Sequence, residues 1–173
     1  AEGNGTGQIR LLQDSFNMSS LSLYTSLGFD VRAGVALMDA STGRETAPGG
    51  ARPAAEPDIE AMDELCRSIY KVSRRNEIAA AMKYGFPPVV VERGGAMTGY
   101  LVPGFLGHGV ARTEEDAFSL IDEVSRSMPH FAKFFCPLGE ARFYRESLKR
   151  GYREIKVMNL MSMGQYDPPE EIW

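Results

Sequence analysis

The chain has little cysteine, no surplus of positive charge and no long apolar run. Its two cysteines, Cys66 and Cys136, are too few for a disulfide framework among 173 residues, and neither sits in a Cys-x-x-Cys pair. That usage fits a reduced, cytoplasmic setting, and no cluster of His, Cys and Asp has the spacing of a metal site. Lys plus Arg number 19 against 23 Asp plus Glu, a formal net charge of −4 and a sequence pI near 5.3. Such a balance provides no broad basic face for a phosphate backbone, so nucleic acid is set aside as a partner. The longest stretch without a charged residue, 94–111, is interrupted by Gly95, Gly99, Pro103, Gly104, Gly107 and Gly109. A membrane helix needs an unbroken apolar run of ~20 residues, so no membrane partner is expected. The opening Ala-Glu-Gly-Asn-Gly has neither the charged nor the apolar region of a signal peptide.

What remains is the composition of an ordinary globular protein, 43% hydrophobic and 24% charged. A chain of this length buries about two-thirds of its unfolded surface. The alternating Gly3, Gly5 and Gly7 read as a turn, and Ile9, Leu11 and Leu12 as part of a short buried strand over 8–14. Ser19 and Ser20 are good N-caps for a helix that carries Leu23, Tyr24 and Leu27 on one face. Gly28 closes that helix and residues 29–38 form a strand. Residues 41–51, with three glycines, two threonines and one proline, have linker composition.

Beyond the linker a new unit starts. Asp58 caps a helix with Ile59, Met62, Leu65, Cys66 and Ile69 at helical period, and a second helix spans 73–84. Val89, Val90 and Val91 pair with residues 97–102 around Gly94-Gly95 in a hairpin. Thr113 with Asp116 resembles a capping box ahead of a helix that Pro129 ends. A strand over 130–137, a helix over 140–150 and a long strand over 152–163 complete the unit. The whole is an α/β chain with a mixed, mostly antiparallel, twisted sheet flanked by helices.

One supersecondary unit occurs twice. Gly28-Phe29 is followed ten residues on by Met38, and Gly151-Tyr152 ten residues on by Met161. In each half a strand, a loop and an amphipathic helix precede the Gly-aromatic pair.

The first copy carries Asn17, then Ser20 at +3, Tyr24 at +7, and Gly28 and Phe29 at +11 and +12. This register resembles the C-terminal motif of the GNAT superfamily of acyl-CoA-dependent N-acyltransferases. The resemblance implies that residues 1–40 are the C-terminal part of one GNAT domain, 41–51 a linker, and 52–173 a second, divergent GNAT-like domain. It implies acetyl-CoA, or another acyl-CoA, as co-substrate and a small-molecule or peptide amine as acceptor. It also implies that Asn17 and Ser20 touch the cofactor while Tyr24 faces the thioester sulfur as donor to the leaving thiolate. A phenol near pKa ~10 is a weaker acid than a thiol near ~8.5, so hydrogen bonding to sulfur is the larger share of that role. The bland alternatives stay open: Tyr24 as a packing residue, Asn17 closing an Asx-turn, Ser20 as N-cap.

The sequence also departs from the family. A pyrophosphate loop before a full helix is missing ahead of residue 8, which implies a truncated first domain. Counting eleven residues back from Gly151 places Glu140 at the Asn position and Ser147 at the Tyr position. Glu114 and Glu115 stand where phosphates would arrive. Losing three or four charge-assisted hydrogen bonds costs ~5–10 kcal/mol, more than a thousandfold in affinity, so 52–173 is not expected to bind CoA in the usual way. His108 is a candidate base or a simple hydrogen-bonding loop residue. Two other readings are kept: a non-catalytic ligand-sensing or interaction module, and a homodimer formed through the half-domain's exposed sheet edge.

Overall fold

The computed structural model describes residues 7–43, 49–104, 107–166 and 168. Among them the chain runs β1 (Gln8–Asp14), α1 (Met18–Ser26), β2 (Asp30–Asp39), β3 (Arg52–Pro53), α2 (Asp58–Tyr70), α3 (Arg75–Lys83), β4 (Val89–Arg93), β5 (Ala96–Leu101), β6 (Gly109–Ala111), α4 (Glu114–Ser127), β7 (Lys133–Pro137), α5 (Ala141–Lys149) and β8 (Arg153–Gly164). Two four-stranded sheets result, ordered β1-β8-β2-β7 and β3-β4-β5-β6, and every pairing in them is antiparallel. The α/β class with antiparallel, helix-flanked sheets is the one the sequence pattern indicates. The Gly3 and Gly5 turn lies outside the described residues.

Several element ends differ from expectation for local reasons. Helix α1 is capped by Asn17, whose Oδ1 accepts the Ser20 N–H at 3.0 Å, so Ser19 and Ser20 lie inside the first turn. Asp58 is the first residue of α2 rather than its cap; its carboxylate accepts the Ala55 N–H at 2.7 Å and pairs with Arg52 at 2.8 Å. Pro129 opens a single 3-10 turn through Phe131, which moves the start of β7 to Lys133 and leaves His130 off the strand that holds Cys136. Helix α3 starts at Arg75, two residues after Ser73, whose hydroxyl donates to Asp63 at 2.8 Å and accepts the Arg75 N–H at 3.4 Å. The three-residue β6 pairs with residues 99–101 of β5, in a segment whose glycines read as loop.

The two copies of the repeat build one sheet between them. Shifting the first copy by 123 residues carries α1 onto α5, Asn17 onto Glu140 and Gly28 onto Gly151. The same shift relates the pairings: Asp30 opposes Ser162 as Asp39 opposes Arg153, and Asp14 opposes Met158 as Val35 opposes Pro137. A pseudo-twofold axis therefore stands normal to the sheet between β2 and β8. Each copy sends its long strand to the middle, where it lies between the long and the outer strand of the other copy. Both Gly28 (φ 92°) and Gly151 (φ 85°) are left-handed, the conformation that ends each helix and turns the chain into its long strand.

Two cores lie on opposite faces. One joins Ala36, Met38, Phe134 and Cys136 of the repeat sheet to Val89 and Val91 of β4, Phe118, Ile121 and Val124 of α4, and Phe143 of α5. The other holds Met62, Leu65, Cys66 and Ile69 of α2 and Ile78 of α3 against Val90, Tyr100 and Val110. Strand β4 feeds both, alternating residue by residue, so its run of valines is buried on both faces. The copies are unequal here. Helix α5 buries Phe143 and Ser147, while α1 buries none of its residues and exposes Leu23.

Candidate functional site

Asn17 caps α1 and Ser20 and Tyr24 lie on it, at i, i+3 and i+7, the spacing of one helical face. Asn17 stands at the end of β1 and Tyr24 about two turns further, roughly 10 Å along the axis. The Asn17 side-chain oxygen is engaged by the Ser20 N–H, and its carbonyl accepts the Gln13 side-chain amide at 2.8 Å. Gln13 is itself buried and accepts the Asn159 amide at 2.9 Å, so the strand-to-helix turn is tied to the centre of the sheet. The half-buried Tyr24 ring meets Phe29 edge-on at 5.7 Å. Among the described residues its hydroxyl makes no hydrogen bond, and β1 pairs along one edge alone, to β8.

The second copy presents different chemistry at the image positions. Glu140 precedes α5 without a side-chain capping bond. Ser147 is fully buried and spends its hydroxyl on the Phe143 carbonyl at 2.9 Å. Phe143, the image of Ser20, fills the space below with its ring 4.8 Å from Phe118. Strands β6 and β7 belong to different sheets, and α4, which follows β6 in the chain, carries Glu114, Glu115 and Asp116 in its first turn. Glu114 pairs with Arg142 at 3.1 Å, and the nearly buried Asp116 with Arg93 at 2.9 Å. A helix start occupied by three carboxylates repels phosphate rather than gathering it.

A further polar group lies under α2 and α3. His108 Nε2 is 2.9 Å from the Tyr100 hydroxyl and its ring meets the Tyr100 ring edge-on. Burial, reinforced by the Arg74 charge, pulls His108 down to about 3. The imidazole is neutral, and its approach to Glu77 at 3.8 Å is not an ion pair. A proton on Nδ1, toward that carboxylate, leaves Nε2 to accept the Tyr100 O–H. Burial likewise raises the Cys66 thiol and the Tyr100 hydroxyl that bonds to it. This set is a satisfied interior network, and His108 is no solvent-facing base. Spacing along the chain could not show it, because β5 and the unforeseen β6 bring Tyr100 and His108 together. Among the described residues no group of three or more His, Cys, Asp or Glu is placed to hold a metal, and no helix is long and apolar enough to cross a membrane.

No protein-family model matches the sequence, and no curated protein does. Solved structures match it throughout. A structure described as an acetyltransferase from Pyrococcus horikoshii superposes with a TM-score of 0.75 at 15% identity, over 96% of this chain and 58% of that one. A GNAT-family acetyltransferase from Novosphingobium aromaticivorans gives 0.61 at 15% identity, over 92% and 75%. A GCN5-related N-acetyltransferase from Sphaerobacter thermophilus gives 0.55 at 15%, over 93% and 61%. The fold is that of the GNAT acetyltransferases. At this identity the likeness concerns the fold, and function has to be argued from the site. The chain spans 58% of the length of the Pyrococcus structure.

Proposed function

We propose that the chain is part of an acetyl-CoA-dependent N-acyltransferase, with Asn17, Ser20 and Tyr24 as its contribution to the reaction. The observation that carries this reading is the arrangement at the end of β1. Among the described residues, Asn17, in motif register with Tyr24 and Gly28, caps the helix that departs beside a strand edge without a pairing partner, and the Tyr24 hydroxyl is unspent. Acetyl-CoA, or another acyl-CoA, would supply the thioester. Asn17 and Ser20 meet the arm that carries it, through the Asn17 amide and the first-turn backbone. Tyr24 would donate a hydrogen bond to the sulfur as the acceptor amine forms its C–N bond and the C–S bond breaks, the thiolate leaving and the proton from the nitrogen passing to it or to solvent.

In this reading residues 1–40 belong to one GNAT domain, 41–51 link, and 52–173 form a second, divergent one. The pseudo-twofold supports it. Helix α5 is covered by α4, whereas among the described residues α1 has no counterpart to α4, and Leu23 and Leu27 are more than half exposed. A covering layer would complete the acyl-CoA wedge along β1, so the chain alone is expected to be weakly active at most.

The test is calorimetric titration of acetyl-CoA into the chain, with Asn17→Ala and Tyr24→Phe alongside. Binding that Asn17→Ala weakens tenfold, and that Tyr24→Phe leaves intact, supports the acyltransferase reading. Absence of binding favours the second one, a non-catalytic sensing or interaction module. That alternative is supported by Glu140, Ser147 and the acidic start of α4. A homodimer joined through the β1 edge would show as a doubled mass in light scattering.

A further inference from the structure

The two copies of the repeat make the same backbone turn between strand and helix. The Asn17 N–H donates to the Asp14 carbonyl at 2.9 Å, as the Glu140 N–H donates to that of Pro137 at 3.1 Å. The Ser15 N–H reaches the Val157 carbonyl at 3.1 Å, as the Leu138 N–H reaches that of Gly34 at 3.0 Å. Both turns pass into their helices alike: Leu21 donates to the Asn17 carbonyl and Tyr144 to the Glu140 carbonyl, each at 3.0 Å. The side chains beneath the turns differ. Gln13 opposes Asn159 in the β1–β8 pairing, and the shift that relates the copies carries this pair onto Cys136 opposite Ala36. Cys136 and Ala36 are fully buried, small and apolar. Gln13, only 3% exposed, instead spends its whole amide. Its Nε2 donates to the Asn17 carbonyl at 2.8 Å and to the Asp14 carbonyl, while its Oε1 accepts the Asn159 amide at 2.9 Å. The second copy shows that the backbone turn forms without such a pair. What the amides add in the first copy is a grip on two carbonyls, one of them that of Asn17.

We propose that Gln13, oriented by Asn159, is a positioning residue for acyl-CoA binding, a role that rests on the acyltransferase reading above. The Asn17 Oδ1 is spent on the Ser20 N–H, which leaves Nδ2 as the donor for an incoming arm. Its direction follows from the Asn17 backbone, which is non-helical (φ −91°, ψ 84°) and belongs to an exposed residue at the start of a helix that buries none of its side chains. A clamp on the Asn17 carbonyl from the buried sheet fixes that backbone before the ligand arrives, so less ordering is left to be done on binding. Gln13 is too deep to meet the arm and acts through Asn17.

Acetyl-CoA is titrated calorimetrically into the parent, into Gln13→Leu, and into the paired change Gln13→Cys with Asn159→Ala. The paired change copies the residues that the second turn already accommodates, and urea unfolding checks that each variant is folded. Both variants are expected to bind at least fivefold more weakly than the parent. Adding Asn17→Ala to the paired change is expected to give the affinity of Asn17→Ala alone within twofold, because residues that act through one another are not additive. Losses that instead multiply would overturn the role. So would parent affinity in the folded paired variant, even with lowered stability, since Gln13 would then only replace packing that α1 lacks. Absence of binding by the parent itself overturns the acyltransferase reading, and the clamp is then judged by hydrogen exchange at the Ser20 N–H. That exchange is expected to be at least tenfold faster in the paired variant, and an unchanged rate overturns the clamp as well.

Discussion

Arg32 and Ile155 are the extra residues of two bulges in the β2–β8 pairing, and they sit 123 residues apart at equivalent points of the repeat. Arg32 interrupts the ladder between Val31 and Ala33, and Ile155 interrupts it between Lys156 and Glu154. A bulge adds one residue to one strand and increases local twist. Two related by the pseudo-twofold restore overall register, so both ends of the long pairing stay aligned. The repeat is thus built into the backbone hydrogen bonding, beyond the likeness of two short motifs.

Equivalent glycines have equivalent costs. Gly28→Ala and Gly151→Ala each place a Cβ in the left-handed region, at about 1–2 kcal/mol. At Gly28 the added carbon meets only Met163 Sδ at 3.7 Å, an ordinary contact, so the penalty there is conformational. Urea unfolding of the two variants is expected to show similar losses. Gly139→Ala, with nothing near the added Cβ and no positive φ, is expected to stay within about 0.5 kcal/mol of the parent.

Packing, by contrast, breaks the symmetry. Phe143 is fully buried among Phe118, Phe134 and α4, and Phe143→Ala is expected to cost about 3–5 kcal/mol. Its image, Ser20, lies on a helix with no buried residue, and Ser20→Ala is expected to change stability by less than about 0.5 kcal/mol. Thermal or urea unfolding checks both. A loss above about 2 kcal/mol at Ser20 would show that α1 is packed in solution against something outside the described residues.

How far the sequence reveals this molecule depends on the range of the interaction. The Gly-aromatic pairs show the repeat, because a left-handed helix end is a local demand that glycine meets. The helices of the second half show through their period and, at Thr113, through a side chain reaching three residues on. Strand exchange leaves no local mark, since an apolar strand reads alike whichever partner it takes. At the end of β1, Asn17 was legible as a motif residue, yet three good capping residues stand together there. Only the backbone shows that Asn17, and neither serine, closes the helix.

Interior burial of His108 sets the pH dependence of stability. Its folded-state pKa is lowered to about 3 by burial first and the Arg74 charge second, while an unfolded histidine titrates near 6.5. Between those values the unfolded chain binds a proton that the folded chain does not. Stability therefore falls as pH drops through about 6.5, by up to about 1.4 kcal/mol per pH unit. Asp39, Asp58 and Asp63 are held below the ordinary carboxylate value; at Asp63 burial opposes ionisation, but Ser73, the Arg74 N–H and Arg67 outweigh it. Their contribution is present above the unfolded value of ~3.9 and is lost below it, so the window from about 4.5 to 6.5 isolates histidine. Of the two histidines, His130 is exposed in the 3-10 turn. Urea unfolding at pH 7.0, 5.5 and 4.5 is expected to show the slope in the parent and a flatter profile in His108→Gln, whose amide can still bond Tyr100. An equal slope in both would mean that His108 is accessible to protons in the folded chain.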